Sequence, residues 1–294
     1  MERENQPQSP HRWGADDERG ALNLINEASV KRALGAAHLY RVVPLGIPLN
    51  SRTPVIPPRP PVLHAMLVDG ADYSAGARRA PNGFQFSDDY LAMAVHCGTH
   101  LDALSHVARN GVMYNGIPAT EVRSRSGAHR LGIEKVGGIV CRGILLDVES
   151  TAPWQPSRVI TASDLKQATV AAGTELEPGD AVLIRTGWLS RSAGAGEEHF
   201  GVSPGIGVEA ARWLADQGVV LVGADNPAIE VLPAESGEVM PVHLLLLNEC
   251  GVYLLEFANL EALAAAHATT FTLVVAPLPI TGAVGSPVNP IAII

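Results

Sequence analysis

Downstream of residue 138 the chain alternates unbroken apolar runs with polar stretches that carry start and stop signals. IVCRGILLDV (139–148), AVLIRTGW (181–188), VVLVGAD (219–225), VYLLEF (252–257) and TFTLVVAPL (270–278) are short, aliphatic and poor in charge, which predicts strands. Helix patterns lie between them. TASDLKQATVAAG (161–173) opens on the capping box Thr161-x-x-Asp164 and closes at Gly173. Ser203-Pro204 opens a second helix that Gly218 ends, and Pro241 opens a third that stops near Gly251. EASVKRALGAAH (27–38) predicts an earlier helix, with Asn26 as its N-cap. Strands alternating with helices predict an α/β layered fold.

The first part of the chain reads differently. TPVIPPRPP (53–61) holds too much proline for a helix or a central strand and predicts an extended surface stretch. YLAMAVH (90–96) has strand character. Asn110-Gly111 and Asn115-Gly116 flank the run VMY and predict tight β turns, hence some antiparallel or barrel-like sheet. Residues 1–12 are expected to form a flexible arm and 13–294 a single domain without internal repeats.

Composition narrows the function classes. With 294 residues and 47% hydrophobic content the chain can bury a large core. Its net charge of −9 is uneven, because no lysine or arginine follows Arg212 while eight carboxylates do. A nucleic-acid partner is therefore not expected, since phosphate binding needs a clustered positive surface. No run of 18 apolar residues occurs, and MERENQPQSPHRW is polar and acidic, so the expected setting is cytoplasmic, away from membranes. Cys97, Cys141 and Cys250 lack CxxC spacing and read as reduced thiols.

One segment concentrates chemistry. HCGTHLDALSH (96–106) carries three of the chain's ten histidines and an aspartate. His96, His100, Asp102 and His106 are separated by even intervals, so a straight strand would turn them to one face. At about 3.3 Å per residue, however, the alpha carbons of His96 and His100 would lie about 13 Å apart, the limit for two imidazoles sharing one ion. The backbone must bend, and Gly98 permits it. Two neutral nitrogens and one carboxylate then form a borderline-hard donor set for Zn²⁺, Mn²⁺ or Fe²⁺ with positions left for water and substrate. His106, four residues on, is placed as an acid or base beside the metal.

With these residues in view, the chain resembles the metal-dependent cyclase family, which includes bacterial kynurenine formamidase and isatin hydrolase: the segment fits HxGTHxDxxxH. RWGADDERGALNLI (12–25), RGILLDV (142–148), VLIRTGW (182–188), VGAD (222–225) and GSPVNPIAI (285–293) extend the likeness over nearly the whole chain. The resemblance implies a swivelling β/β/α fold with a mixed, partly barrel-like sheet, and a homodimer or homotetramer with an interface near the site. It implies His96, His100 and Asp102 as metal ligands and His106 as the catalytic histidine. His243 and Glu256 fall near the distal histidine and glutamate of the formamidases, as a second-metal or substrate site. Read locally, His243 is equally a packed histidine near a helix N-terminus, whereas Glu256 in an apolar strand needs a cation or donors. Trp13 and Asp225 are candidate pocket residues. Leu104 and Asn289 replace a proline and an arginine of the formamidases, so substrate identity does not transfer.

The expected activity is a divalent-metal hydrolase or cyclase acting on an amide, imide or lactone carbonyl of a small cyclic or aromatic substrate, with Mn²⁺ or Zn²⁺ as cofactor. A polyketide-type cyclase or dehydratase is the alternative. Two rivals are weaker. HxD with a distal His243 also spells the facial triad of non-haem iron oxygenases, but no basic residue follows to hold a 2-oxoglutarate carboxylate. GIGVEA (205–210) with Asp225 imitates a dinucleotide fingerprint, yet it does not leave a strand directly, and helix capping by Ser203-Pro204 explains it more simply.

Overall fold

The computed structural model describes residues 11–151, 154–192 and 200–294; the expected arm lies almost entirely outside them. Nine strands form one sheet: β1 (Val42–Pro44), β2 (His100–Asp102), β3 (Ile139–Asp147), β4 (Ala181–Arg185), β5 (Leu221–Ala224), β6 (Tyr253–Glu256), β7 (Thr270–Val275), β8 (Gly285–Pro287) and β9 (Ile291–Ile293). Their order is β1-β9-β7-β3-β4-β5-β6-β2-β8. The four central strands run parallel, joined by helical crossovers. Both flanks are antiparallel, and the sheet curls into a half-barrel. The mixed, partly barrel-like α/β architecture is therefore present, but its antiparallel part comes from the flanking strands. The Asn110 and Asn115 turns are present, with both asparagines left-handed, but hold only isolated bridges around Val112.

The central strands are buried along nearly their whole length because helices α1 (Glu27–Leu34), α2 (Ala162–Ala171) and α3 (Val208–Asp216) and the segment after Pro241 cover them. Asn26 caps α1, as expected, in a capping box closed by Ser29, and Thr161 caps α2 through the expected box with Asp164. Among the described residues no helix is long and apolar enough to cross a membrane, and Cys97, Cys141 and Cys250 are buried and free.

Several local expectations are corrected. Helix α1 ends at Leu34 rather than at residue 38, because Leu39 and Arg41 donate their amides to Ile294 O and draw the chain to the sheet edge. The proline-rich stretch stays at the surface without helix or strand but is not extended throughout: a turn ending at Thr53 leads into it, and the Arg59 amide bonds back to Ile56 O in a second. The strand expected at 90–96 spans Asp88–Ala92 and pairs with Leu63–Val68 in a separate two-stranded ribbon. Trp188 lies outside β4: Gly187, at φ +80°, turns the chain into a short helix. Ser203-Pro204 do not open α3 either. The chain first pairs Gly205–Ile206 with Val159–Ile160, and α3 starts after Gly207.

Candidate metal centre

The bend expected at Gly98 is there. Its φ of +59° is left-handed, and an added Cβ would lie 2.8 Å from Thr53 Cγ2 and 3.0 Å from Leu49 Cδ2, so only glycine fits without displacement. After the bend, His100–Asp102 enters the sheet between β6 and β8. His100 stands directly opposite Glu256 on β6, which places their side chains on one face. Gly285 stands opposite Asp102 on β8, and its missing side chain makes room for His96: a Cβ there would lie 2.6 Å from the ring's Nε2.

The buried groups converge from three elements. His96 Nε2 lies 3.3 Å from Asp102 Oδ1, and His100 Nε2 lies 3.6 Å from the same oxygen and 3.1 Å from Glu256 Oε2. His243, the last residue of the helical turn Pro241–His243, brings Nε2 to 3.2 Å from Glu256 Oε1 and 3.8 Å from Asp102 Oδ2. His106 stacks on His96 with ring centroids 4.0 Å apart. Two overlapping sets, His96/Asp102/His106 and His100/Asp102/Glu256, have ligand atoms close enough to share an ion. The structure gathers all six residues singled out for metal and proton chemistry around Asp102, but the expected triad is split: His96 falls in one set and His100 in the other, Asp102 is common to both, and His243 is in neither.

Three of these atoms make no hydrogen bond: His96 Nε2 and both oxygens of Asp102, all buried, with His96 Nε2 facing Oδ1 at 3.3 Å. An unsatisfied buried carboxylate costs several kcal/mol unless a cation answers it. Nitrogen and carboxylate oxygen in this ratio suit a divalent transition ion, so the residues present fit a metal. The ring orientations agree. His100 Nδ1 donates to Gly98 O at 2.8 Å, and His243 Nδ1 donates to Glu230 Oε1 at 2.6 Å, which leaves Nε2 of each ring facing the cluster.

Charge and burial compete across the site. Burial holds His106 down to about 4, only partly offset by Asp102, so this ring is neutral at pH 7. Burial alone would raise Asp102, but His106, His96 and His100 outweigh it and hold its carboxyl below the usual range. His243 goes the other way: burial disfavours its charge, yet Glu230 and Glu256 lift it to about 10.

Two expected pocket residues lie elsewhere. Trp13 lines a cleft of about 350 Å³ with Arg12, Tyr114 and Cys250, none of them in the cluster. Asp225 serves the fold: Thr186 donates its amide and hydroxyl to Oδ1, and Gly187 its amide to Oδ2, which fixes the turn after β4. Its oxygens are thus taken up, and Gly205 is packed against the Glu230 backbone, so the dinucleotide reading has neither its acid nor its phosphate cradle. Sequence reasoning missed Glu230 and Gly285. Glu230 had the same signal as Glu256, a carboxylate inside the apolar run AIEVL (228–232).

Comparison with known proteins agrees with this geometry. A family model described as a putative cyclase matches residues 43–231. A solved structure described as a novel cyclase superposes with a TM-score of 0.91 at 36% identity, covering 97% of each chain. Kynurenine formamidase of Bacillus cereus is 27% identical over 201 residues, 68% of this chain and 76% of that protein. Isatin hydrolase of Roseibium aggregatum is 26% identical over 215 residues, 71% of this chain and 75% of its own.

Proposed function

Because this chain belongs to the cyclase family of hydrolases and cyclases, we propose that it is a divalent-metal hydrolase opening an amide, imide or lactone of a small cyclic or aromatic substrate. The observation that carries the reading is the convergence of His96 Nε2 and both Asp102 oxygens, buried and without hydrogen bonds. His96, His100 and Asp102 would hold Mn²⁺ or Zn²⁺, with Glu256 and His243 completing the site or serving a second ion. When bound, such an ion supplies a Lewis acid for the carbonyl and a water of lowered pKa.

The chain's own residues supply the rest. His106 is neutral at pH 7, so a ring nitrogen can take a proton from the attacking nucleophile and return it to the leaving nitrogen or oxygen. The ionised Asp102 beside it favours the imidazolium that forms on the way. The burial of His96, His100, Asp102 and Glu256 keeps bulk water from the donor atoms and strengthens each electrostatic contact.

The reading extends to assembly as a homo-oligomer. The Leu63–Val68/Asp88–Ala92 ribbon leaves Leu63, Met66, Leu67, Tyr90 and Leu91 about half exposed, and a two-stranded ribbon is marginal in water unless covered. Light scattering is expected to return a dimer or tetramer; a monomer would contradict this part alone. The activity is tested by elemental analysis of gently purified protein, followed by assay against cyclic imides, lactones and aryl formamides. Stoichiometric manganese or zinc with turnover of one class is expected. Metal-free protein that hydrolyses such a substrate at full rate would overturn the reading.

A further inference from the structure

Glu230 is almost wholly buried, and His243 is its one ion-pair partner among the described residues. Three donors converge on it. The Val242 amide reaches Oε2 at 3.2 Å, while the His243 amide and ring Nδ1 reach Oε1 at 3.1 and 2.6 Å. The same residue is thus gripped through both backbone and ring, which fixes the ring's direction as well as its place.

The backbone that presents Glu230 is held at a cost. Ile229, immediately before it, sits at φ +60°, a region that disfavours β-branched residues by roughly 1–2 kcal/mol. Such a conformation persists only where the surroundings over-determine it. Here Asn226 Oδ1 accepts the Ile229 amide at 2.8 Å, and Asn226 Nδ2 is itself tied to Pro204 O at 2.7 Å. Ile206 bonds to Ile229 O and to the Val231 amide, and Gly205 packs so tightly on Glu230 that a Cβ would collide with its carbonyl. None of these contacts involves the cluster, so the carboxylate is aimed before any ligand arrives.

We propose that Glu230 is a positioning residue: by accepting the Nδ1 proton of His243 it turns Nε2 of that ring toward Asp102 and Glu256. The proposal rests on reading the cluster as a divalent-metal site. Without Glu230 the ring is free to flip, and Nδ1 can replace Nε2 at the cluster with a different reach.

The test combines histidine ¹⁵N–¹H NMR of metal-free protein with zinc titration against a chromophoric chelator, on wild type, Glu230→Gln and Glu230→Ala. Wild type is expected to show a downfield, slowly exchanging Nδ1–H on His243. Glu230→Gln keeps an acceptor oxygen and retains that resonance, whereas Glu230→Ala loses it. Zinc affinity is expected to fall about 10–100-fold in Glu230→Ala and to stay nearer wild type in Glu230→Gln. An unprotonated Nδ1 in wild type, or unchanged zinc affinity in Glu230→Ala, would overturn the proposal. Should Glu230→Ala fail to fold, the wild-type and Glu230→Gln spectra still decide. Wild type that binds no zinc but shows the Nδ1–H would defeat the metal reading and leave the Glu230 contact standing.

Discussion

The segment from His96 to His106 and the segment from Glu230 to Glu256 furnish one cluster by opposite means. The first is local: eleven residues, one glycine bend and a three-residue strand bring four side chains together on the antiparallel flank. The second is spread over the parallel centre, where Glu256 ends a buried strand, His243 ends the helical turn that Pro241 opens, and Glu230 lies in the loop after β5. In the local segment His96 Nε2 and both Asp102 oxygens make no hydrogen bond, while His100 Nε2 pairs with Glu256 of the distributed one, whose groups are also paired to each other and to backbone amides. On the proposed reading the flank supplies most of the ligand atoms, while the parallel centre adds Glu256 and otherwise orients the cluster and balances its charge.

The largest effect is expected on the flank. Asp102→Ala should abolish stoichiometric divalent-ion binding, read by calorimetry and elemental analysis, because both ligand sets share this carboxylate. Retained full binding would erase the distinction between the segments. His106→Ala should keep the metal yet lose roughly 10²–10⁴-fold in kcat, as removal of a general acid–base does. Equal loss of metal would make His106 a ligand instead.

Asp225 tests whether the other carboxylate of the parallel centre is structural. Burial lifts it to about 6, above the value near 4 of an unfolded chain, despite three donors. The folded state therefore holds this proton more tightly. Its stabilising contribution is full below about pH 4 and lost as pH rises through about 6, at most on the order of 3 kcal/mol. In urea melts, wild type should lose more stability between pH 4 and 7 than Asp225→Asn; identical slopes would refute the assignment. The smallest change is Gly285→Ala, whose methyl would press on His96 Nε2. A roughly tenfold weaker ion affinity in a folded protein is expected, and unchanged affinity would show that His96 has room to spare.

The same contrast explains what could be read from the chain. The His96–His106 cluster was legible because its geometry is local: even spacing plus one glycine sufficed to place four groups. The parallel centre was legible as strands and caps, since its apolar runs are buried on both faces. The 90–96 strand was misjudged because YLAMAVH stays strand-like past Ala92, whereas Pro54 O, far away in sequence, accepts the Gly98 amide and bends the approach. Ser203-Pro204 carried a genuine helix-start signal that pairing with Val159–Ile160 overrode. Glu230 stands in an apolar run as Glu256 does, but its partner is not readable from that run, because the loop held by Asn226 and Gly205 is what aims it at His243.

The central claim is a divalent ion gripped from the flank. Anomalous diffraction at the manganese edge, from crystals grown with Mn²⁺, tests it most directly. A single strong peak about 2.0–2.3 Å from the ring nitrogens of His96 and His100 and an oxygen of Asp102 is the expected result. A map with no peak there, or with manganese held only at surface carboxylates, would contradict it.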